Sequence, residues 1–140
     1  MDEKEKKLAH YRMNQSEEAL RSAKALLDMS DYRGAINRFY YSAFYATQAL
    51  LMQKGKEART HSGNLHLFRE EYIKTGIFPQ ETNQVLSDLF EVRLEGDYGF
   101  PDEPDRHEAD LAQQNCEEFV SQAKKVFQKG ASPKKLPKQP

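Results

Sequence analysis

The sequence predicts an all-α protein: an antiparallel up-and-down bundle of four main helices with an additional short helix. Three observations predict it. Apolar residues recur at three-and-four spacing in nearly every segment. Glycine and proline fall between those segments as punctuation. No stretch carries the strict apolar–polar alternation of a half-buried strand.

The first helix is expected from about Lys4 to Met29, with Leu8, Tyr11, Met13, Ala19, Ala23, Leu26 and Leu27 forming a loose apolar stripe. Ser30-Asp31 breaks it and offers an N-cap to the next helix. The second segment, "DYRGAINRFYYSAFYATQALLMQKG", is the best defined. Ile36, Phe39, Tyr40, Ala43, Phe44, Thr47, Leu50 and Leu51 line one face, and Gly55 suits a C′ stop. "KEARTHSGN" reads as a loop, with Thr60 and Ser62 able to cap a short helix from about Ser62 to Lys74 that Gly76 stops. Pro79 is expected in the first turn of a fourth helix, whose face carries Val85, Leu86, Leu89, Phe90 and Arg93. "GFPDEP" is a break. The last helix is expected from Pro104 or Asp105 to Lys129, carrying Leu111, Ala112, Cys116, Phe119, Val120, Ala123, Val126 and Phe127, and Gly130 ends it.

A chain of 140 residues, 38% hydrophobic and 31% charged, fits one core under a well-solvated surface. The expected organisation is one helical domain over residues 1–129 and a disordered basic tail over residues 130–140. A formal net charge of −1 argues against a generic electrostatic nucleic-acid binder. The balance is uneven: Glu91 to Asp110 is acidic, while "AKKVFQKGASPKKLPKQP" is basic. The single Cys116 excludes an intrachain disulfide, and its core spacing marks a small buried hydrophobe. The N-terminal "MDEKEKKLAH" lacks the apolar stretch of a secretory signal, and no apolar run approaches membrane-spanning length. A cytoplasmic protein without a membrane partner is expected. His10, His61, His66 and His107 form no metal-binding spacing, so neither a metal nor another cofactor is expected.

Two constellations carry chemistry. On the second helix, Gly34, Arg38, Tyr41, Ser42, Tyr45 and Gln48 make a second stripe beside the aliphatic one. Each tyrosine alone is explained by half-burial with its hydroxyl in water. The set suggests a polar groove or a homodimer seam, because it adds more aromatic surface than one bundle seam needs.

The other constellation is "RLEGDYG", directly after the apolar run "VLSDLFEV". Arg93 follows Leu89 by four residues and Phe90 by three, so it points with the core stripe. A guanidinium there is either the partner of a carboxylate, with Asp97 in reach at i+4, or a phosphate ligand, which its planar fork suits. The spacing alone leans toward the structural pair. As a ligand lining an open anion site, Arg93 is expected to tolerate truncation at little cost in stability. His61 is expected at the N-terminus of the short helix, where anions bind readily but an exposed capping loop is commoner.

The segments "YRGAINRFYYSAFYATQALL", "THSGNLHLFREEYIKTGIFP" and "LFEVRLEGDYGF", in this order, resemble the HEPN domain (higher eukaryotes and prokaryotes nucleotide-binding). The likeness is to the short prokaryotic members paired with minimal nucleotidyltransferases, and it runs from about Asp31 to Phe127. It implies a four-helix bundle with a short extra helix, often a homodimer, and a cytoplasmic role beside a small nucleotidyltransferase, commonly in toxin–antitoxin pairs. Many such proteins are metal-independent endoribonucleases with an R-x4–6-H motif. In that motif arginine steadies the scissile phosphate and histidine moves protons.

The arginine maps onto Arg93, but the histidine has no counterpart: the permitted positions hold Tyr98, Gly99 and Phe100. A phenol with a pKa of about 10 is a poor base at neutral pH, costing roughly 4 kcal/mol. The resemblance therefore implies a weak or absent ribonuclease. Arg93, Asp97 and Tyr98 stand as the catalytic candidates. Arg93, Arg38, Tyr41, Tyr45 and His61 are the candidates for binding nucleotide or RNA phosphate.

Overall fold

Each helix begins where a side chain or a turn can satisfy its first amides. The computed structural model describes residues 2–98 and 103–130, and for residues 94–98 it describes the backbone. Helix α1 spans Glu3–Asp28 and opens with a capping box between Asp2 and Glu5. Ser30, in the left-handed region at φ 64°, turns the chain, and the Asp31 amide donates to the Leu26 carbonyl. Asp31 then caps α2, Tyr32–Gln53, by accepting from the Gly34 amide at 2.9 Å. A Cβ on Gly34 would stand 2.7 Å from that carboxylate, so glycine leaves room for the cap. Gly55 closes α2 at φ 71°, as the sequence predicts.

Helix α3 spans His61–Phe68 and is capped by Thr60, whose Oγ1 accepts from the Gly63 amide. It continues as a π-helical turn over Arg69–Ile73, where one regular helix to Lys74 was expected. Gly76, at φ 84°, ends the segment. Helix α4 spans Thr82–Tyr98, so Pro79 lies ahead of it and not in its first turn. Successive turns carry the chain in, starting with the Thr82 amide on the Pro79 carbonyl. Helix α5 spans Arg106–Gly130, with Asp105 and Glu108 exchanging the two bonds of a capping box. Among the described residues there is no strand. The tail expected to be disordered begins at Gly130, the last residue of α5, and the rest of it lies outside the described residues.

Helix α2 is the centre of the bundle and packs on α1, α4 and α5. Its seam with α1 is built from small residues. Ser16 Oγ donates to the Ser42 carbonyl at 2.6 Å, and Ser42 Oγ donates to the Ser16 carbonyl at 2.7 Å. Ala9, Ala19, Ala23, Ala35, Ala46 and Ala49 are buried in the core. Ser42 therefore belongs to this seam and not to the polar stripe of α2. Leu8 and Tyr11, expected in the apolar stripe, are exposed at 44% and 54%, and Leu111 on α5 is exposed at 46%. Cys116 is fully buried, and burial pushes its thiol up to about 12, so it stays a neutral thiol. At one end of the core, Phe68, Tyr72, Phe78 and Phe119 form an aromatic cluster with ring centroids 5.1–6.0 Å apart.

Candidate functional site

Helices α2, α3 and α4 bring Tyr40, His61 and Arg93 to one place. Tyr40 comes from the aliphatic face of α2, and its ring meets Phe90 of α4. His61 is the first residue of α3, fixed there by the Thr60 cap. Arg93 follows Leu89 and Phe90 along the inward stripe of α4, as its spacing predicts.

The Arg93 guanidinium lies over three rings: Tyr40 at 4.9 Å, Phe90 at 5.7 Å and Tyr41 at 5.9 Å. Its exposure is 9%. This corrects the expectation of an open ligand whose truncation costs little, because the residue is buried, with three rings against it. The ring faces partly compensate the guanidinium for lost water. The side chains of Glu95, Asp97 and Tyr98 lie outside the described residues, and so do Gly99 and Phe100.

His61 joins the same group from the other side. Its Nδ1 lies 2.7 Å from the Tyr40 hydroxyl. Its ring stacks on Phe44 at 4.4 Å and meets Tyr41 edge-on at 5.6 Å. Burial, and secondarily the Arg93 charge, hold the imidazole below its ordinary pKa of 6.5. Burial pushes the Tyr40 phenol far above its usual range, although the Arg93 charge opposes this, so Tyr40 remains a protonated donor.

The lowered His61 pKa has a pH consequence. The unfolded chain takes up the proton near pH 6.5, while the folded one resists it, so this contribution to stability is complete above that pH. It is lost as pH falls from there through the lower folded value. Between about pH 7.5 and about pH 5, thermal melts of the wild type should therefore fall more steeply than those of His61→Gln.

A cavity of about 20 Å³ lies behind this group, lined in part by Tyr40, Phe44, Thr47, His61, Asn64 and Phe90. It has the size of one water and cannot admit a phosphate. An anion would have to approach from the surface, at the exposed edge of His61. Asn64 closes the polar side of the cavity by donating to Thr47 Oγ1 at 2.6 Å.

The rest of the α2 stripe runs alongside. The Arg38 guanidinium lies 4.9 Å from the Tyr41 ring and donates from Nε and Nη2 to Asn37 Oδ1. Tyr41 and Tyr45 are half-buried, with ring centroids 5.8 Å apart. The structure thus gathers Arg93, His61 and Tyr41 around Tyr40 and sets Arg38 and Tyr45 along one edge. Sequence reading missed Tyr40 as part of this group, because its spacing marks it as a core residue. Among the described residues, no group of His, Cys, Asp and Glu could hold a metal ion.

Residues 9–131 match the HEPN domain. A UPF0332 protein of Thermotoga maritima is 41% identical over 99 residues, covering 71% of this chain and 74% of that protein. "Putative toxin MJ0142" of Methanocaldococcus jannaschii is 30% identical over 115 residues, covering 82% of this chain and 78% of that protein. The crystal structure of TT1696 from Thermus thermophilus shares the fold, with a TM-score of 0.73 at 21% identity over 84% of this chain and 96% of that one. With the bundle and the order of its motifs, a match over most of its length makes this chain a member of the HEPN domain family.

Proposed function

We propose that the chain is the HEPN subunit of a toxin–antitoxin-like pair. Its partner is a minimal nucleotidyltransferase, and Arg93 with His61 holds a phosphate of a nucleotide or RNA. The observation that carries this reading is the meeting of Arg93 and His61, from separate helices, at one phenol. A guanidinium and an imidazole edge are suited to phosphate oxygens. Two Methanocaldococcus jannaschii relatives bear toxin names, which supports the pairing. The aromatic strip of Tyr41 and Tyr45 supports a homodimer seam on α2. No described helix is long and apolar enough to cross a membrane, in keeping with action in the cytoplasm.

Calorimetric titration with adenosine monophosphate tests the phosphate site. Binding that disappears in Arg93→Lys, which keeps the charge but loses the planar fork, is the expected result. Absence of binding to the wild type refutes it. A small nucleotidyltransferase encoded beside this gene, co-expressed with the chain, is the expected partner, and absence of a stable complex with it would refute the pairing. Sedimentation of the protein alone should show a dimer.

A second reading, a metal-independent endoribonuclease, is favoured by one observation: His61 puts an imidazole beside Arg93, where the R-x4–6-H spacing offers Tyr98. Incubation with RNA in EDTA decides it. Cleavage lost in both Arg93→Ala and His61→Gln would establish the enzyme. Intact RNA would leave the binding subunit.

A further inference from the structure

We propose that Tyr40 is a positioning residue: it donates its phenolic proton to His61 Nδ1 and thereby fixes the imidazole as the Nε2–H tautomer. The hydrogen bond is 2.7 Å long, and its two partners fix each other's roles. A neutral imidazole has one N–H and one lone pair. A phenol is a good donor and a poor acceptor, while an imidazole nitrogen lone pair is a good acceptor. Donation from Tyr40 to Nδ1 is therefore the stable arrangement, and the ring proton is left on Nε2.

The surroundings hold this arrangement. Stacking on Phe44, with 8° between the planes, and the edge-on Tyr41 ring oppose a flip that would exchange the nitrogens. The titratable and charged groups that face the imidazole are Tyr40 and Tyr41 from α2 and Arg93 from α4. Among the described residues none is a carboxylate that would stabilise an imidazolium, and Arg93 opposes one. His61 makes no other side-chain hydrogen bond among the described residues, so Nε2–H remains available to a ligand.

The consequence rests on the phosphate-binding reading above. An Nε2–H group can donate to a phosphate oxygen but has no lone pair there with which to take a proton from a ribose hydroxyl. The resting site is thereby suited to holding a phosphate monoester or diester and unsuited to using His61 Nε2 as a general base.

Long-range proton–nitrogen NMR on the full chain with labelled histidine tests the assignment, with His61→Gln identifying the signal. The wild type should show a protonated Nε2 and an unprotonated Nδ1 at neutral pH. Tyr40→Phe removes a bond made to the neutral ring, so the two tautomers should mix and the His61 titration should move to higher pH. A protonated Nδ1 in the wild type overturns the proposal. So does a titration in Tyr40→Phe that stays in place or moves to lower pH. A far-UV circular dichroism spectrum of Tyr40→Phe that matches the wild type checks that the variant is folded. If Tyr40→Phe does not fold, the wild-type tautomer alone decides. Adenosine monophosphate added to the wild type is a separate arm. A silent Nε2–H signal with the tautomer intact refutes the phosphate reading and upholds the role of Tyr40.

Discussion

Arg93→Ala should lower the stability of the protein by about 2–4 kcal/mol and abolish its response to adenosine monophosphate. The size of the first effect follows from the three rings around the guanidinium. Each cation–ring contact is worth about 0.5–2 kcal/mol, the larger values applying where water is excluded. The hydrocarbon stem is buried as well, so truncation also removes packing. Urea unfolding measures the loss. Arg93→Lys separates charge from shape, since a lysine keeps the cation but cannot lie flat across Tyr40 and Phe90. A large stability loss with an unchanged nucleotide response would make Arg93 a structural residue only. Unchanged stability would contradict its burial.

Phe68→Ala should cost about 3–5 kcal/mol, the range for deleting a fully buried aromatic. Phe68 touches Tyr72 and Phe78 at 5.1 Å and Phe119 at 5.6 Å, so it joins the end of α3 to the π-helical turn, the following loop and α5. Thermal or urea melts give the cost. The same change should disturb the site from a distance, because α3 carries His61 at its other end. The His61 signal in Phe68→Ala should broaden and drift toward an ordinary histidine titration. A sharp, unshifted signal would mean that the Tyr40 bond and the Phe44 stack hold His61 without help from the core.

Local chemistry was readable in the sequence wherever one residue suffices. Asp31, Thr60, Gly55 and Gly76 act within a turn of where they stand, and the structure places each as its type demands. The inward aim of Arg93 was also readable, since it depends only on the spacing within α4. The stripe of α1 was read rightly at Met13, Ala19, Ala23 and Leu27, and wrongly in its first turns, where Leu8 and Tyr11 were expected in place of Ala9 and Ser16. Ala9, Met13 and Ser16 face the core, and Leu8 and Tyr11 do not. Where two helices approach closely, alanine and serine are the residues that fit. The Tyr40–His61 bond had no local signal, because it depends on the angle at which α3 returns across α2. The same applies to the burial of Arg93, to which the Tyr40 and Tyr41 rings of another helix contribute. Asp97 and Tyr98, readable as neighbours of Arg93, have side chains outside the described residues.

The paired serines between α1 and α2 have a consequence for how the site moves. Each hydroxyl is spent on the backbone of the opposite helix, so separating the two helices costs two buried hydroxyls their partners at once. These helices should open together or not at all, and their amide protons should exchange at the rate of global unfolding. Helix α3 has eight residues and is tied to α2 through side chains alone, Asn64 on Thr47 and His61 on Tyr40, so its amides should exchange earlier. The site therefore has one fixed wall, Tyr40 and Tyr41 on α2, and one wall that can swing. Under mild denaturant the His61 wall should therefore loosen before the Tyr40 wall, and hydrogen exchange along α3 and α2 would show the order.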